Sequence, residues 1–449
     1  MKKLLVLSVV MICTIALIFM GTGCKSTAAE TTAAAETTAA AETTAAAETT
    51  AAAETKPIVI GHMTFHTGPF SHIGEPFDQA LKFTVDIINQ NPPLPGREIT
   101  IINQDQGGIG EGACARQLTD SDKVDILMNV GMDYLTYRDW LMQYISDNNR
   151  PFLPSVHGGS IDPQYGGTVA EPIFRGAPQD SDQGVAAIVR AVDVGAKNCV
   201  IMAVEIDGYQ TMKNTAAKAA EITGLEVLDT IDMEPEGSYR SETARAQGAN
   251  PDALIVFADA ADTGLIVKTA AELGMSVIIL GGTDMLFEDF PNTATMEAIQ
   301  KHKLVQAINF TYAETPAWDY FQPAWDGDPE SAKFNDAALC YTQQYYDVVT
   351  CTALAIKKAG STGVSDLVPA MREVAMGPGT KVYTYKEGFD MLEKGEAIDF
   401  DGVTGSFDYT DTGVVAGNWG VVEWTDATTM TRVDIMDGKS VLDVSSQIK

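Results

Sequence analysis

Four of the five histidines fall in segments that could carry metal or acid–base chemistry. His62, His66 and His72 cluster around one predicted strand-to-helix loop, and His157 lies in another predicted loop. Zinc sites use several His or carboxylate ligands, but on a strand His62 and His66 share a face some distance apart. The pattern therefore favours one or two histidines that line a cleft as hydrogen-bonding groups, and it predicts no metal site.

Sequence motifs for catalysis give little support to an enzyme. The sequence contains no H-E-x-x-H, no G-x-S-x-G and no P-loop, and no nucleophile–base pair is recognisable. The segment Gly108–Ala113 fits G-x-G-x-x-A. A dinucleotide fingerprint follows the first strand of a unit, whereas this segment follows the second predicted strand. We therefore interpret it as a glycine-rich loop and predict neither an enzyme nor a cofactor.

The cysteine spacing does not indicate a disulfide framework. Beyond the first 24 residues the chain contains Cys114, Cys199, Cys340 and Cys351, and no C-x-x-C pair occurs. Cys340 and Cys351 lie on one predicted helix at a separation of about 16 Å, which is too far for a disulfide. Buried free thiols are the expected state, and a bond between Cys114 and another cysteine of the same lobe stays open.

Strand and helix patterns alternate from Pro57 onward. The elements that these patterns predict must position any functional site. Continuous apolar runs such as 253–257 predict buried strands, and helical spacing of apolar residues, as in 75–89, predicts helices. Repeated βα units predict parallel sheets with helices on both faces. Two runs that meet near 173–179 predict two doubly wound lobes. A long helix from about Lys333 to Lys358 and a β-rich end after Ile398 should follow.

In doubly wound lobes, ligands bind beyond the carboxyl ends of the strands. Aromatic side chains recur in the predicted loops that follow the strands. A site for a small organic ligand requires such side chains. The alternative for any one of them is a place in the core. The loops are 64–74, 104–111, 131–134, 155–160, 205–209, 258–262 and 281–287.

The first 56 residues differ from the rest of the chain. Lys2 and Lys3 precede an apolar stretch, and small residues precede Cys24, so residues 1–23 read as a secretory signal. Cys24 after Thr22-Gly23 resembles the lipidated cysteine of a bacterial lipobox. An ordinary signal peptide or an uncleaved anchor helix are the alternatives. Residues 25–56 repeat Glu-Thr-Thr-Ala-Ala-Ala and offer no apolar face to bury, which indicates a linker.

The overall charge excludes two classes of partner. The chain has 449 residues, of which 30 are Lys or Arg and 61 are Asp or Glu, and its formal charge is −31. Nucleic-acid binding and docking on anionic lipid both need a basic surface. The 45% content of apolar residues indicates a globular chain, and the part after the linker carries about −30 of the charge.

Several segments together resemble a known family. Ile58–Phe70 resembles its first strand and T/S-G-P loop, and Arg150–Ser155 resembles the strand ahead of its ligand loop. Gly402–Asp408 with Val421–Trp424 is similar to its closing hairpin. The family is that of the periplasmic binding proteins of the leucine/isoleucine/valine-binding type, the substrate-capturing lipoproteins of ABC importers. The resemblance covers about 58–425.

This resemblance implies two α/β lobes with a ligand cleft between them and three crossovers. Lobe 1 would comprise 57–176 and about 309–415, and lobe 2 about 177–308 and 416–449. It further implies ligand contacts from loops of both lobes. The matching positions are Phe70 and His72, Thr136 or Tyr137, Gly159 and Ser160 in lobe 1, and Tyr209 and Asp284 in lobe 2.

Two departures from the family pattern affect the expected ligand. His157-Gly158-Gly159-Ser160 replaces the usual Ala-Thr or Ala-Ser pair, and Asp133 stands where small hydroxyl residues are common. An acid at that position opposes a carboxylate ligand, so branched-chain amino acid specificity does not carry over.

We therefore expect a monomeric, non-enzymatic lipoprotein, anchored outside the cytoplasm through Cys24. It would capture a small amino-acid-like solute and deliver it to an ABC permease, without binding nucleic acid. A sensory lipoprotein without a transport role is an alternative. A secreted nucleotide-dependent oxidoreductase that uses the Gly108 loop is a further one.

Overall fold

The computed structural model describes residues 56–448, apart from residues 69, 132, 157, 163, 312–313 and 335–340. The predicted signal peptide, Cys24 and nearly all of the linker lie outside the described residues. In the part that is described, no helix is both long enough and apolar enough to cross a membrane.

The strands are short, and many are apolar throughout, as buried parallel strands are. They are β1 (Ile58–Thr64), β2 (Ile99–Asp105), β3 (Ile126–Met128), β4 (Leu153–Ser155), β5 (Ile173–Arg175), β6 (Asn198–Val204), β7 (Glu226–Met233), β8 (Ala253–Phe257), β9 (Ile278–Gly281), β10 (Leu304–Thr311), β11 (Thr380–Val382), β12 (Ile398–Gly402), β13 (Gly405–Ser406), β14 (Asn418–Trp424) and β15 (Met430–Met436).

The helices mostly alternate with the strands up to β10 and dominate the segment after it. They are α1 (Gly74–Ile88), α2 (Gln106–Ile109), α3 (Glu111–Arg116), α4 (Tyr134–Asn148), α5 (Asp180–Asp193), α6 (Asp207–Thr223), α7 (Arg240–Ala249), α8 (Ala260–Glu272), α9 (Asp289–Ala294), α10 (Met296–Ile299), α11 (Pro316–Gly327), α12 (Thr342–Ala359), α13 (Val364–Ala375), α14 (Tyr385–Glu393) and α15 (Gly438–Ser445).

Parallel strands form the sheets of both lobes. In lobe 1 the strand order is β2-β1-β3, and β4 pairs with β5. Backbone bonds from Leu127 N to Phe152 O (2.9 Å) and from Asn129 N to Pro154 O (3.2 Å) join β3 to β4. In lobe 2 seven strands have the order β15-β14-β10-β9-β8-β6-β7, with β14 and β15 antiparallel at one edge. The predicted α/β fold with parallel sheets is confirmed.

The hydrophobic cores separate the lobes and mark where the chain crosses between them. One core contains buried residues up to Phe174, and a second core begins at Ala177. The chain returns to the first core after Phe310 and leaves it again after Val415. Tyr341 packs partly against both cores. The chain therefore passes between these two cores three times.

Helix α12 is the buried centre of lobe 1, although its start differs from the prediction. It begins at Thr342 rather than near Lys333, because Tyr341 has a left-handed backbone (φ 72°) and cannot continue a helix. Lys333 lies in a separate 3₁₀ turn. The final helix α15 was not predicted. The three described cysteines, Cys114, Cys199 and Cys351, are buried free thiols, and Cys340 lies outside the described residues.

The carboxylate of Asp347 ties α12 to the turn between β12 and β13. It accepts hydrogen bonds from Val403 N (2.7 Å), Thr404 N (2.8 Å) and Thr404 Oγ1 (2.7 Å). Burial raises the pKa of Asp347 to about 7, although these three donors lower it. Two backbone N–H groups in the core thus depend on the Asp347 side chain as their hydrogen-bond acceptor.

Removing this side chain should destabilise lobe 1. We expect Asp347→Ala to lower the free energy of unfolding by about 3 kcal/mol, since several buried donors lose their acceptor. Urea denaturation followed by circular dichroism measures the change. The matched control is Asp139→Ala, at a carboxylate that is 99% exposed, which should stay within about 0.5 kcal/mol. Equal losses in the two variants would contradict the structural role of Asp347.

Candidate functional site

The loop after β4 contacts the start of α5, where the chain has just crossed into lobe 2. Gly159 is buried and Ser160 is exposed. A Cβ atom at Gly159 would overlap the carboxylate of Asp180. The Gln179 amide, oriented to satisfy its neighbours, donates to Ile161 O (2.9 Å) and Gly159 O (3.1 Å). A side chain at position 159 would therefore displace the Asp180 carboxylate, because the loop after β4 and the start of α5 approach each other closely.

The loop after β1 presents an aromatic side chain to solvent. Phe70 is 40% exposed, and its ring packs edge-on against Phe65 with a centroid separation of 5.5 Å. The backbone of His72 lies in a 3₁₀ turn, and its side chain lies outside what the structure describes. The loop thus offers an apolar wall at the carboxyl edge of lobe 1.

A partly exposed carboxylate holds this loop against the next one. Asp105, at the end of β2, accepts hydrogen bonds from His66 N (2.9 Å), Gly107 N (3.1 Å) and Thr67 Oγ1 (2.8 Å). Desolvation raises the pKa of Asp105, but these bonds outweigh it and lower the pKa below its ordinary value. Gly107 N, the backbone donor just before the Gly108 segment, is thereby already engaged.

A buried carboxylate binds the loop that leads into α4. Glu111, 5% exposed, accepts hydrogen bonds from Gly131 N (2.6 Å), Asp133 N (2.8 Å) and the hydroxyl of Tyr137. Burial raises the pKa of Glu111, and the three donors act in the opposite direction. Thr136 Oγ1 donates to Asp133 O (2.7 Å). The hydroxyls of Tyr137 and Thr136 are therefore both engaged inside lobe 1.

In lobe 2 a tyrosine and an aspartate meet at the carboxyl edge of the sheet. Tyr209 lies in the first turn of α6, and its hydroxyl lies near the carboxylate of Asp284, which follows β9. Burial raises the pKa of Asp284 to about 7, and the neighbouring Asp259 and Asp180 raise it further, against the Tyr209 hydrogen bond. This edge of lobe 2 is therefore an acidic site next to an aromatic ring.

Of two arginines near the crossover, Arg138 is paired with an acid, whereas Arg175 contacts neutral oxygens. Arg138 forms a bidentate pair with Glu171 (2.7 and 2.9 Å). Arg175 is fully buried and donates to Tyr165 O and to the Gln179 side-chain oxygen. Desolvation lowers the pKa of Arg175 to about 10, and nearby acids including Glu171 counter it.

Two histidines, His62 and His66, take part in hydrogen bonding within lobe 1. His62 Nε2 lies 2.8 Å from Tyr345 Oη, and His62 Nδ1 lies 3.3 Å from Asp78. His66 Nε2 contacts the same carboxylate at 2.9 Å. Among the described residues, no group of three or more His, Cys, Asp or Glu side chains could hold a metal ion.

Sequence reasoning missed the acids and the arginine that organise this region. Glu111 lies inside the Gly108–Ala113 motif, which we weighed only for nucleotide binding. Asp105 lies inside the predicted loop 104–111, and the glycines that follow it were the available signal, whereas no such signal accompanied Asp180. No local sequence pattern indicated Arg175, because its role depends on its burial in the folded chain.

Solved structures show that this fold is shared with transport proteins. The leucine binding protein LivK from Thermotoga maritima superposes with a TM-score of 0.66 and 16% identity, over 85% of this chain and 99% of that chain. LivJ from Streptococcus pneumoniae, in complex with isoleucine, gives 0.64 and 18%, over 85% and 99%. A Rhodopseudomonas palustris solute binding protein, in complex with 3,4-dihydroxy benzoic acid, gives 0.62 and 18%, over 85% and 98%.

The sequence itself decides the family. Residues 57–428 match the family model described as periplasmic binding protein, so the chain belongs to that family. It is a periplasmic solute-binding protein of the ABC-transporter type, which implies an extracytoplasmic location. The sequence resemblance to this family is confirmed. No curated protein matches the sequence.

The raised carboxyl pKa values predict how stability depends on pH. Burial raises the pKa of Asp180 and Asp182 to about 6 and that of Asp284 and Asp347 to about 7. The folded state therefore binds more protons than the unfolded state between about pH 4 and pH 7, and stability falls as the pH rises through this window. Burial lowers the pKa of His302, and this one group therefore makes stability rise with pH, against the trend.

We expect the melting temperature to be higher at about pH 5 than at about pH 8, by at least the roughly 2 °C that 1 kcal/mol produces in a large domain. Differential scanning calorimetry measures it. Asp284→Asn should make the slope shallower, whereas Asp289→Asn, at an exposed carboxyl of α9, should leave it unchanged. A melting temperature that rises with pH over this range would contradict the assignment.

Proposed function

We propose that the chain is the solute-binding lipoprotein of an ABC importer and captures a small amino-acid-like solute by closure of its two lobes. The observation that carries the proposal is the Tyr209–Asp284 pair at the carboxyl edge of lobe 2. Parallel α/β sheets bind ligands at this edge. A carboxylate beside an aromatic ring suits an amino group attached to an apolar body.

Contacts from both lobes would hold the solute. In lobe 2, Asp284 would accept hydrogen bonds from its amino group, and the Tyr209 ring would cover its apolar part. In lobe 1, Phe70 would supply an apolar wall, and the exposed Ser160 beside Gly159 would supply a hydroxyl. His72, Thr136 and Tyr137 belong to the same predicted set of contacts, with the hydroxyls of the latter two already engaged.

Exposed apolar side chains at the strand ends also support closure. Phe70, Ile109 and Leu135 are exposed on loops or helix starts at the carboxyl edge of lobe 1, and Ile206 is exposed at the corresponding edge of lobe 2. Closure of the lobes on a solute would remove some of this surface from water.

The proposed lobes are 57–176 with about 309–415, and about 177–308 with 416–449. A solute that touches both stabilises the closed arrangement in proportion to its preference for that state. The three short crossovers are the places where backbone rotation would allow this motion.

A carboxylate-to-amide change should test the proposed site. The probes are the common amino acids, their amides, small alkylamines, benzoate and 4-hydroxybenzoate, screened by thermal shift and then measured by isothermal titration calorimetry. We expect at least one probe to raise the melting temperature. Asp284→Asn should weaken its binding by about ten-fold or more, because a charged hydrogen bond is lost.

Asp289→Asn is the matched control, since it removes an exposed carboxyl five residues away and should leave the affinity unchanged. A panel in which no probe binds, or in which Asp284→Asn binds as well as the parent chain, would refute the proposed site. Uptake of the best probe by producing cells, compared with cells that lack the gene, separates transport from sensing.

Membrane attachment through Cys24 is tested separately. We expect Cys24→Ser to abolish incorporation of labelled palmitate and to move the chain from the membrane to the soluble extracytoplasmic fraction. Cys13→Ser, a matched change inside the signal segment, should keep both the label and the membrane location. Retention of Cys24→Ser in the membrane would instead support an uncleaved anchor helix.

A further inference from the structure

Two buried glutamines lie at the first turn of α5, the helix that follows the first passage of the chain between the cores. Gln179 immediately precedes this helix, and Gln183 lies four residues later. They are only 4% and 3% exposed. Gln183 N donates to Gln179 O (3.3 Å), so the backbone of the turn joins them. A buried amide is stable only when it is hydrogen-bonded, so the partners of these two side chains indicate their role.

Gln179 holds the loop after β4. Its amide nitrogen donates to Ile161 O (2.9 Å) and Gly159 O (3.1 Å), and its oxygen accepts from Arg175 Nη1. Both donors and the oxygen of this amide are therefore engaged. Ser160, a candidate ligand contact, lies between the two carbonyl groups that Gln179 binds. The backbone position of Ser160 therefore depends on this amide.

Gln183 holds the loop after β9 in a similar way. Its amide nitrogen donates to Thr283 Oγ1 (2.7 Å) and to Ile308 O (2.9 Å). Thr283 directly precedes the candidate residue Asp284, and Ile308 belongs to β10. Through Gln183, the loop that carries Asp284 and strand β10 are both bound to the first turn of α5.

Each of these loops also approaches α5 closely at a glycine. A Cβ atom at Gly159 would overlap Asp180 Oδ1, in the first turn of the helix. A Cβ atom at Gly282 would lie 3.1 Å from the amide carbon of Gln183. Because no side chain stands at these two positions, both loops come within hydrogen-bonding distance of the same helical turn.

We infer that the first turn of α5 positions the two candidate loops of the solute site relative to each other, with Gln179 and Gln183 as the positioning residues. The inference rests on the proposed function and names the element that holds its two loops. Ser160 and Asp284 would face the solute at a separation that this one turn sets. The amide nitrogens of both glutamines are engaged within the protein, so neither would contact the solute itself.

The chemistry of the amide provides a sharp variant at position 179. A carboxylate there still accepts from Arg175, but it has no donor for Gly159 O and Ile161 O. Gln179→Glu therefore breaks the attachment of the loop and keeps an acceptor for the buried arginine. Gln183→Met removes both bonds of the second attachment at similar side-chain length.

Hydrogen–deuterium exchange of the full chain in detergent, read by mass spectrometry, tests both attachments without a solute. We expect Gln179→Glu to speed exchange in peptides covering 155–161 by about five-fold or more, because the loop opens more easily without its bonds. Gln183→Met should do the same in peptides covering 282–287. Exchange in the core strand β8 should stay as in the parent chain. The matched control is Gln143→Met, at an exposed position of α4, which should alter neither loop.

Unchanged exchange in either loop would overturn the inference, since it requires both attachments. An equally large increase in β8 would also overturn it, because general destabilisation would then explain the result. Thr283→Val breaks the contact with Gln183 from the side of the loop, and it replaces Gln183→Met if that variant does not fold.

Solute affinity tests whether the two attachments serve the proposed site. The probes are isoleucine, leucinamide, 3-methylbutylamine and 4-hydroxybenzoate, one from each class of the panel above, titrated calorimetrically. A probe that binds the parent chain should bind about ten-fold or more weakly to Gln179→Glu and to Gln183→Met, because the site is no longer preorganised. Gln143→Met should keep the parent affinity. Unchanged affinity in both test variants would overturn the positioning role.

Double variants test whether each glutamine acts through its loop. In Gln179→Glu combined with Ser160→Ala, the loss of affinity should be smaller than the product of the two single losses, because the two changes affect one contact. The same should hold for Gln183→Met combined with Asp284→Asn. Independent losses in both pairs would overturn the assignment.

The single variants Ser160→Ala and Asp284→Asn distinguish failure of this inference from failure of the proposed function. If they weaken binding and the glutamine variants do not, the positioning role is wrong but the solute site stands. If neither changes any affinity, or if no probe binds, the proposed site itself is wrong, and this inference falls with it.

Discussion

The hydrogen-bonding demand of backbone N–H groups at the carboxyl edge of lobe 1 is the constraint on which the site depends. Parallel strands end at this edge, and the helices that follow begin with N–H groups that have no partner inside the helix. In this chain, the carboxylates of Asp105 and Glu111 satisfy several of them. The loops are thereby held in defined positions.

A buried carboxylate also connects distant parts of the chain elsewhere in lobe 1. Asp347 joins α12 to the β12–β13 turn, and Tyr345, two residues earlier, contacts His62 of β1. The residue before this helix, Tyr341, contacts the cores of both lobes. Helix α12 is central in lobe 1 and borders a crossover. The arrangement of the two lobes therefore depends on how α12 packs in lobe 1.

Family membership and the particular site lead to different conclusions about the ligand. The family and the shared fold define a solute-binding protein of a transporter, and similar structures contain isoleucine or 3,4-dihydroxy benzoic acid. Those ligands carry a carboxylate, whereas the cleft loops of this chain are rich in carboxylates of their own. Ligand class is therefore a property of individual side chains and does not follow from the fold.

The sequence alone determined the order and type of most elements, because apolar periodicity is a local property. The predicted strand 253–257 coincides with β8, and the predicted helix 75–89 differs from α1 by one residue at each end. It also determined the family. The predicted start of α12 was wrong. The backbone conformation of Tyr341 depends on its packing between the cores and not on helix propensity.

Only the tertiary structure decided which side chains of the candidate site contact one another. Glu111 is 20 residues from Gly131 in sequence, and Tyr209 is far from Asp284, so no local pattern reports either contact. The sequence presented Tyr137 as a ligand contact, while folding directs its hydroxyl to Glu111. The physical reason is that hydrogen bonding and desolvation at the strand ends depend on which loops meet, and that is set by the packing of the whole sheet.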